Sequence, residues 1–223
     1  MNPIRLAFLL FVAMPLARLF TGADVVDRQR LPANGPAIIA ANHNSHVDTL
    51  LLLTIFPLGA LGRLRPVAAA DYFLRGPMIG WFSRRIIGIV PIVRSGPTVG
   101  ANEDVLAPAR EALARGDIII IFPEGTRGDA TDAMGRLKAG VARLAEAFPQ
   151  APVIPVWLEG AGRVLPKGTL VPVPMNCTVL VGEPMAWCGD RKTFIDRLRA
   201  ALLDLKAKAP PQHWIEDEDP RVA

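Results

Sequence analysis

Only two cysteines occur among the 223 residues, Cys177 and Cys188, and neither belongs to a C-x-x-C pair or a Cys/His cluster. That scarcity excludes a disulfide framework and a structural zinc site, and it fits a reducing compartment. Serine is also sparse: Ser45, Ser83 and Ser95 are the whole set, and none stands in G-x-S-x-G, so a serine nucleophile lacks its usual setting. No uninterrupted apolar run reaches the roughly 18 residues of a membrane span, although 51% of the chain is hydrophobic and its mean hydropathy is +0.29. A bilayer surface is therefore a more natural partner than a bilayer crossing. Repeats and low-complexity tracts are missing too, and nothing marks a boundary between two folded domains.

What is present begins at the N-terminus. "IRLAFLLFVAMPLARLF" places about a dozen apolar residues between Arg5 and Arg18, with Pro15 inside. A helix of that length reaches only ~18 Å, which predicts an interfacial or partly inserted anchor over residues 1–22. A cleaved signal peptide and a buried core helix are the competing readings; the first has a poor cleavage region, and the two arginines weigh against the second. The domain proper is expected over 23–208, followed by a Pro-led acidic tail over 209–223.

Net charge is +4. Its distribution matters more. Arg63, Arg65, Arg75, Arg84, Arg85 and Arg94 face a single acid, Asp71, and are interleaved with Phe73, Trp81 and Phe82. Such a stretch suits anionic lipid headgroups or a phosphorylated ligand. No nucleic-acid recognition motif accompanies it, and a plain solvated face remains open for any one arginine.

Strand-like segments ("PAIIAAN", "RPVAAADY", "GIVPIVR", "DIIIIFP", "APVIPVWLEG", "CTVLVGEP") alternate with helical ones, among them "VDTLLLLTIF", "GPMIGWFSRRIIG", "NEDVLAPAREALARG" and "RKTFIDRLRAALLDLKAK". Alternation of this kind predicts an α/β fold with a mixed, largely parallel sheet flanked by helices. The chemistry is then expected at strand ends.

After "PAIIAAN" comes "HNSHVD". Ser45 and Asp48 have capping-box spacing, which needs no histidine. If His46 is helical it lies about 200° from Asp48 and faces away, whereas His43 precedes the cap in a loop able to curl back. Asp48 would then fix the tautomer of His43 and leave its other nitrogen as a base. A metal site from His43, His46, Asp48 and Glu124 is the rival reading. After "DIIIIFP", the heptad "FPEGTRG" makes a turn in which Arg127 could grip a phosphate and Glu124 flanks the exposed backbone; a surface turn with an internal Glu/Arg pair is the plain alternative. Arg94, closing "GIVPIVR", brings a third strand end. Cys177 reads as a strand residue with no histidine beside it, so direct attack by a substrate hydroxyl is the economical chemistry.

In order, "NHNSHVD", "GIVPIVR", "FPEGTRG" and "APVIPVWL" resemble the four blocks of the glycerolipid acyltransferase superfamily, marked by H-x4-D, over about residues 30–185. "LKAG", "VLPKG" and "VGEP" resemble members that acylate lysophosphatidic acid. The resemblance implies His43 as general base and Asp48 as its partner. It implies Arg94, Glu124, Gly125 and Arg127 as groups that hold the acceptor phosphate or shape its site. Two departures stand out: His46 occupies a position often aromatic or apolar in the family, and Gly128 one that is usually serine.

The expectation is thus an O-acyltransferase moving a fatty acyl group from acyl-CoA or acyl-carrier protein to the free hydroxyl of lysophosphatidic acid, with no metal, no cofactor beyond that co-substrate and no acyl-enzyme. It would sit on a phospholipid surface, at the cytoplasmic face of the inner or plasma membrane. Other lysophospholipids or glycerol-3-phosphate as acceptor, a metal-dependent lipid phosphoesterase and a catalytically silent lipid-binding protein are the alternatives. Oligomeric state is left open.

Overall fold

The structure, a computed structural model, describes residues 2–45, 47–70, 76–92, 104–126, 134–165 and 172–210. Seven strands form its sheet: β1 (Asp24–Val26), β2 (Ala37–Ala41), β3 (Leu64–Ala69), β4 (Val90–Ile92), β5 (Ile118–Ile121), β6 (Val153–Glu159) and β7 (Thr178–Val181). Their order is β1-β7-β6-β2-β5-β3-β4, and every neighbouring pair is parallel except β6 with β7. The mixed, largely parallel sheet expected from the sequence is what forms.

Continuous apolar runs produce the central strands because both faces are covered. Ile39, Ile120, Ile154 and Val156 face one layer, made by α1 (Pro3–Thr21), α2 (Val47–Ile55) and the single turn α6 (Ala161–Val164). Ile38, Ile119, Ile121, Val153 and Trp157 face the other, made by α4 (Ala107–Ala114), α5 (Gly140–Ala147) and α7 (Arg191–Lys208). Each fully buried aliphatic side chain adds about 1.5–3 kcal/mol, so the strongest apolar runs take the middle of the sheet. The remaining helix, α3, is α-helical over Pro77–Phe82 and closes with a π-turn over Ser83–Ile87.

Two expectations change. First, α1 is a continuous helix of 19 residues, about 28 Å long rather than ~18 Å. Pro15 has no N–H and crowds the preceding turn; the helix widens to a π-turn over Leu9–Ala13, where Met14 N–H reaches the Leu9 carbonyl, and continues past it. By length and composition it could cross a bilayer, yet Arg5, Leu9, Ala13, Ala17 and Thr21 form an i, i+4 stripe packed on the domain. Ile4, Phe11, Leu16 and Leu19 point outward. Second, Arg5 is not a solvent-side flank of this helix: it is 4% exposed and donates to the carbonyls of Gly62, Leu64 and Ile87. Strand β1 has only three residues, too few to announce itself by pattern, and is placed by its parallel pairing with β7.

The "NEDVLAPAREALARG" helix begins later than its pattern suggests. Pro108 occupies the first turn and the Asp104 carboxylate accepts the Leu106 N–H; Asn102, which opens the quoted segment and is a plausible cap by residue type, lies outside the described residues.

Candidate active site

β2 ends between β5 and β6, where the chain leaves toward β3 on one side and β6 lies on the other. Such a switch point opens a crevice beyond the carboxyl ends of the strands. The first residue past β2, Asn42, closes one wall: its Nδ2 donates to the Leu158 carbonyl at 3.0 Å and its Oδ1 accepts the Leu158 N–H at 2.6 Å. The residue is 1% exposed, so Asn42→Ala would leave two buried backbone groups of β6 unpaired. Its expected cost is about 2–4 kcal/mol, readable as a lowered midpoint in thermal or urea unfolding.

His43, Asn44 and Ser45 fold back onto the start of α2. The Asp48 carboxylate, fully buried in the first turn of α2, collects three donors on Oδ2: His43 Nδ1 at 2.8 Å, Asn44 N–H at 2.7 Å and Ser45 N–H at 2.7 Å. The Ser45 contact is one half of the expected capping box. The other half is displaced by one residue, since Ser45 Oγ accepts the N–H of Val47 at 3.3 Å. Cap and His43–Asp48 pair are thus one construction. With Asp48 ionised, Nδ1 carries the proton and Nε2 keeps its lone pair. The ring stacks on Phe122 with centroids 4.1 Å apart and 20° between planes, and the side chain remains 20% exposed.

The end of β5 supplies the opposite wall. Glu124, 7% exposed, accepts the His43 N–H at 3.3 Å on Oε1 and the Gly135 N–H at 2.9 Å on Oε2. These contacts tie three segments together: the end of β5, the loop after β2 and the backbone at residue 135. Gly125 turns the chain at φ +70°, its N–H reaching the Phe122 carbonyl at 3.0 Å. A β-carbon there would lie 2.5 Å from Lys138 Nζ, so a side chain would push the ammonium aside as well as strain the left-handed turn that glycine adopts freely.

Arg94, Arg127, His46 and Gly128 lie outside the described residues. Among the described residues no three His, Cys, Asp or Glu side chains gather as a metal set. Cys177 is buried, and burial with the charges of Asp48 and Glu159 pushes its thiol up to about 12; it stays protonated near neutral pH and is a poor nucleophile.

Residue reasoning did not single out Asn42, Phe122, Gly135 or Lys138 for the site. The first signals itself only as a polar residue closing an apolar strand. Lys138 lies in the quoted "LKAG", where its proximity to Gly125 is not visible.

The model of the family described as Acyltransferase matches residues 22–159. The chain is 30% identical over 173 residues to the chloroplastic 1-acyl-sn-glycerol-3-phosphate acyltransferase LPAT1 of Arabidopsis thaliana, an alignment covering 75% of this chain and 46% of that protein. It therefore spans under half the length of that relative. It is 29% identical over 218 residues to the 1-acyl-sn-glycerol-3-phosphate acyltransferase of Pseudomonas aeruginosa, covering 94% and 80%. Its fold matches the crystal structure of PlsC, the 1-acyl-sn-glycerophosphate acyltransferase of Thermotoga maritima, with a TM-score of 0.69 and 23% identity over 94% of this chain and 81% of that one. With the H-x4-D pair assembled at the switch point of a matching sheet, the chain belongs to the acyltransferase family.

Proposed function

We propose that the protein transfers a fatty acyl group from a thioester, acyl-CoA or acyl-carrier protein, to the free hydroxyl of lysophosphatidic acid, giving phosphatidic acid. The observation that carries this reading is the 2.8 Å contact between His43 Nδ1 and Asp48 Oδ2. His43 Nε2 takes the proton of the acceptor hydroxyl as its oxygen attacks the thioester carbonyl carbon. The carbon–sulfur bond then breaks, and the leaving thiolate takes the proton back from the imidazolium. Asp48 holds the ring and stabilises its charged form. General-base assistance of this kind is worth about 10² to 10⁴ in rate. Glu124 and Phe122 are positioning residues: one fixes the backbone of His43, the other its ring.

Arg94 and Arg127 would grip the acceptor phosphate, and Lys138, which rests on the Gly125 turn, would add a further cation. Fixing the phosphate brings the hydroxyl into reach of His43, which is how remote binding serves the reacting centre. The names of the relatives, 1-acyl-sn-glycerol-3-phosphate acyltransferases, support lysophosphatidic acid over glycerol-3-phosphate or another lysophospholipid. No covalent acyl-enzyme is needed, since Ser45 is spent on the helix start and Cys177 stays a thiol. The outward apolar face of α1 supports attachment to a phospholipid surface. There lysophospholipid arrives laterally, and the cytoplasmic face is where thioester donors are available.

The test is a panel of acceptors (lysophosphatidic acid, glycerol-3-phosphate, lysophosphatidylcholine) with both donors, read by lipid mass spectrometry in the presence and absence of a chelator. Phosphatidic acid from lysophosphatidic acid, undiminished by chelation, is the expected product. Release of inorganic phosphate or loss of activity on chelation would favour the phosphoesterase reading instead.

A further inference from the structure

At the opposite end of the strands from His43 lies a second polar cavity of about 480 Å³. Its walls come from the entries of β3 and β4, the start of α1, the end of α3 and the loop before β5. Strands of four to six residues separate it from the His43 crevice by roughly 13–20 Å. Among the described residues that line it, Arg5, Arg65, Arg84, Arg85 and Arg115 face the carboxylate of Glu111. Asp117, beside the cavity, pairs with Arg65 at 3.2 Å and stands 3.7 Å from Arg115, which leaves the group strongly cationic.

The arrangement is costly as it stands. Arg5 Nε is buried with no hydrogen-bond partner among the described residues, and burial together with the charge of Arg65 lowers the Arg5 pKa to about 10. Gly88, at φ +79°, is built around this guanidinium: a β-carbon there would lie 2.9 Å from Arg5 Cζ. Clustered guanidinium groups at the rim of a cavity are relieved by an anion that takes several N–H donors at once, and phosphate has the matching geometry.

Two helices say where such an anion comes from. The first is α1, whose Arg5 enters the cavity while Ile4 (60% exposed) and Phe11 (78%) point outward. The second is α3, which carries Arg84 and Arg85 at its end and exposes Met78 (82%), Trp81 (54%) and Phe82 on preceding turns. Phe8 and Phe82 lock the two together edge to face at 5.3 Å. Apolar and aromatic side chains beside a basic recess are the pattern of a protein surface seated at a headgroup layer. Because α1 runs from this cavity to the entry of β7, where Cys177 N–H meets the Thr21 carbonyl, one helix spans both ends of the sheet along one face.

We propose that this arginine cavity is a non-catalytic site for the phosphate of an anionic membrane phospholipid, distinct from the acceptor site at His43. The lipid's glycerol and acyl chains leave toward Trp81, Phe82 and the outer face of α1, while its phosphodiester lies between Arg65, Arg84, Arg85 and Arg115. An occupied site ties the far end of α1 to the headgroup plane.

The experiment is calorimetric titration of the purified full chain with water-soluble short-chain phosphatidylglycerol, short-chain phosphatidylcholine and inorganic phosphate. The variants are Arg84→Gln/Arg85→Gln, Arg115→Gln and, as a control at the other site, Arg127→Ala. All three arginines of the cavity variants are exposed, and circular dichroism checks that each variant folds. Saturable phosphatidylglycerol binding is expected, weakened about 30-fold in the double variant, several-fold in Arg115→Gln and not at all in Arg127→Ala. Phosphate should compete weakly. The double variant should still turn over detergent-dispersed substrate, which separates this proposal from the catalytic one. Equal binding of phosphatidylcholine, or double-variant binding like wild type, would overturn it. Phosphate displacing the lipid at equal concentration would overturn the lipid assignment in favour of a soluble phosphate. Loss of binding in Arg127→Ala alone would place the ligand at the His43 site and overturn the proposal.

Discussion

Replacing His43 by alanine is expected to lower acyl transfer to lysophosphatidic acid by about 10² to 10⁴, with little change in folding stability or in acceptor affinity. The ring hydrogen-bonds to Asp48 and stacks on Phe122, and its side chain is 20% exposed. Removing it deletes the base while Glu124 still holds the backbone N–H of residue 43. The loss therefore falls on kcat, and KM for the acceptor, set by the phosphate-binding cations, stays within a few-fold. A matching rise in KM would instead assign His43 to substrate binding.

Asp48→Asn should lower kcat by a similar factor, about 10² to 10⁴, and should also destabilise the fold. The two effects have separate causes. Oδ2 serves three N–H donors at once, and the asparagine oxygen can take the same place. What disappears is the negative charge that stabilises the imidazolium formed as His43 accepts its proton. Hydrogen bonds to a charged group are worth about 1.5–3 kcal/mol against 0.5–1.5 for neutral ones, so a loss of about 1–3 kcal/mol is expected in urea unfolding. The amide nitrogen would sit where Oδ1 is buried without a partner among the described residues, which adds an unsatisfied donor. Asp48→Asn with normal turnover would remove Asp48 from the mechanism, whatever its effect on stability.

How the histidine finds its carboxylate was legible in the chain itself. A helical residue 46 would face away from Asp48, which leaves residue 43, in a preceding loop, to meet it; the structure forms the contact of His43 with Asp48. Central strands were equally legible, because runs such as "DIIIIFP" are apolar on both faces. What depends on residues far apart was not. Glu124 looks like half of a local ion pair with Arg127, yet its oxygens serve backbone groups at positions 43 and 135. Arg5 looks like the flank of an anchor, yet three carbonyls from distant loops take its guanidinium inside. The brace by Asn42 depends on β6 lying beside β2, 116 residues later in the chain, which no local pattern announces.

One measurement addresses direct transfer by the His43–Asp48 pair: the intact mass of the protein and the free thiol in solution after mixing with acyl-CoA, or acyl-carrier protein, before and after lysophosphatidic acid is added. Direct transfer predicts an unchanged protein mass and negligible thiol until the acceptor arrives. Thiol and phosphatidic acid should then appear together in equal amounts, and slowly or not at all with His43→Ala. An acyl adduct on the protein that forms with the donor alone and decays when lysophosphatidic acid is added would contradict it.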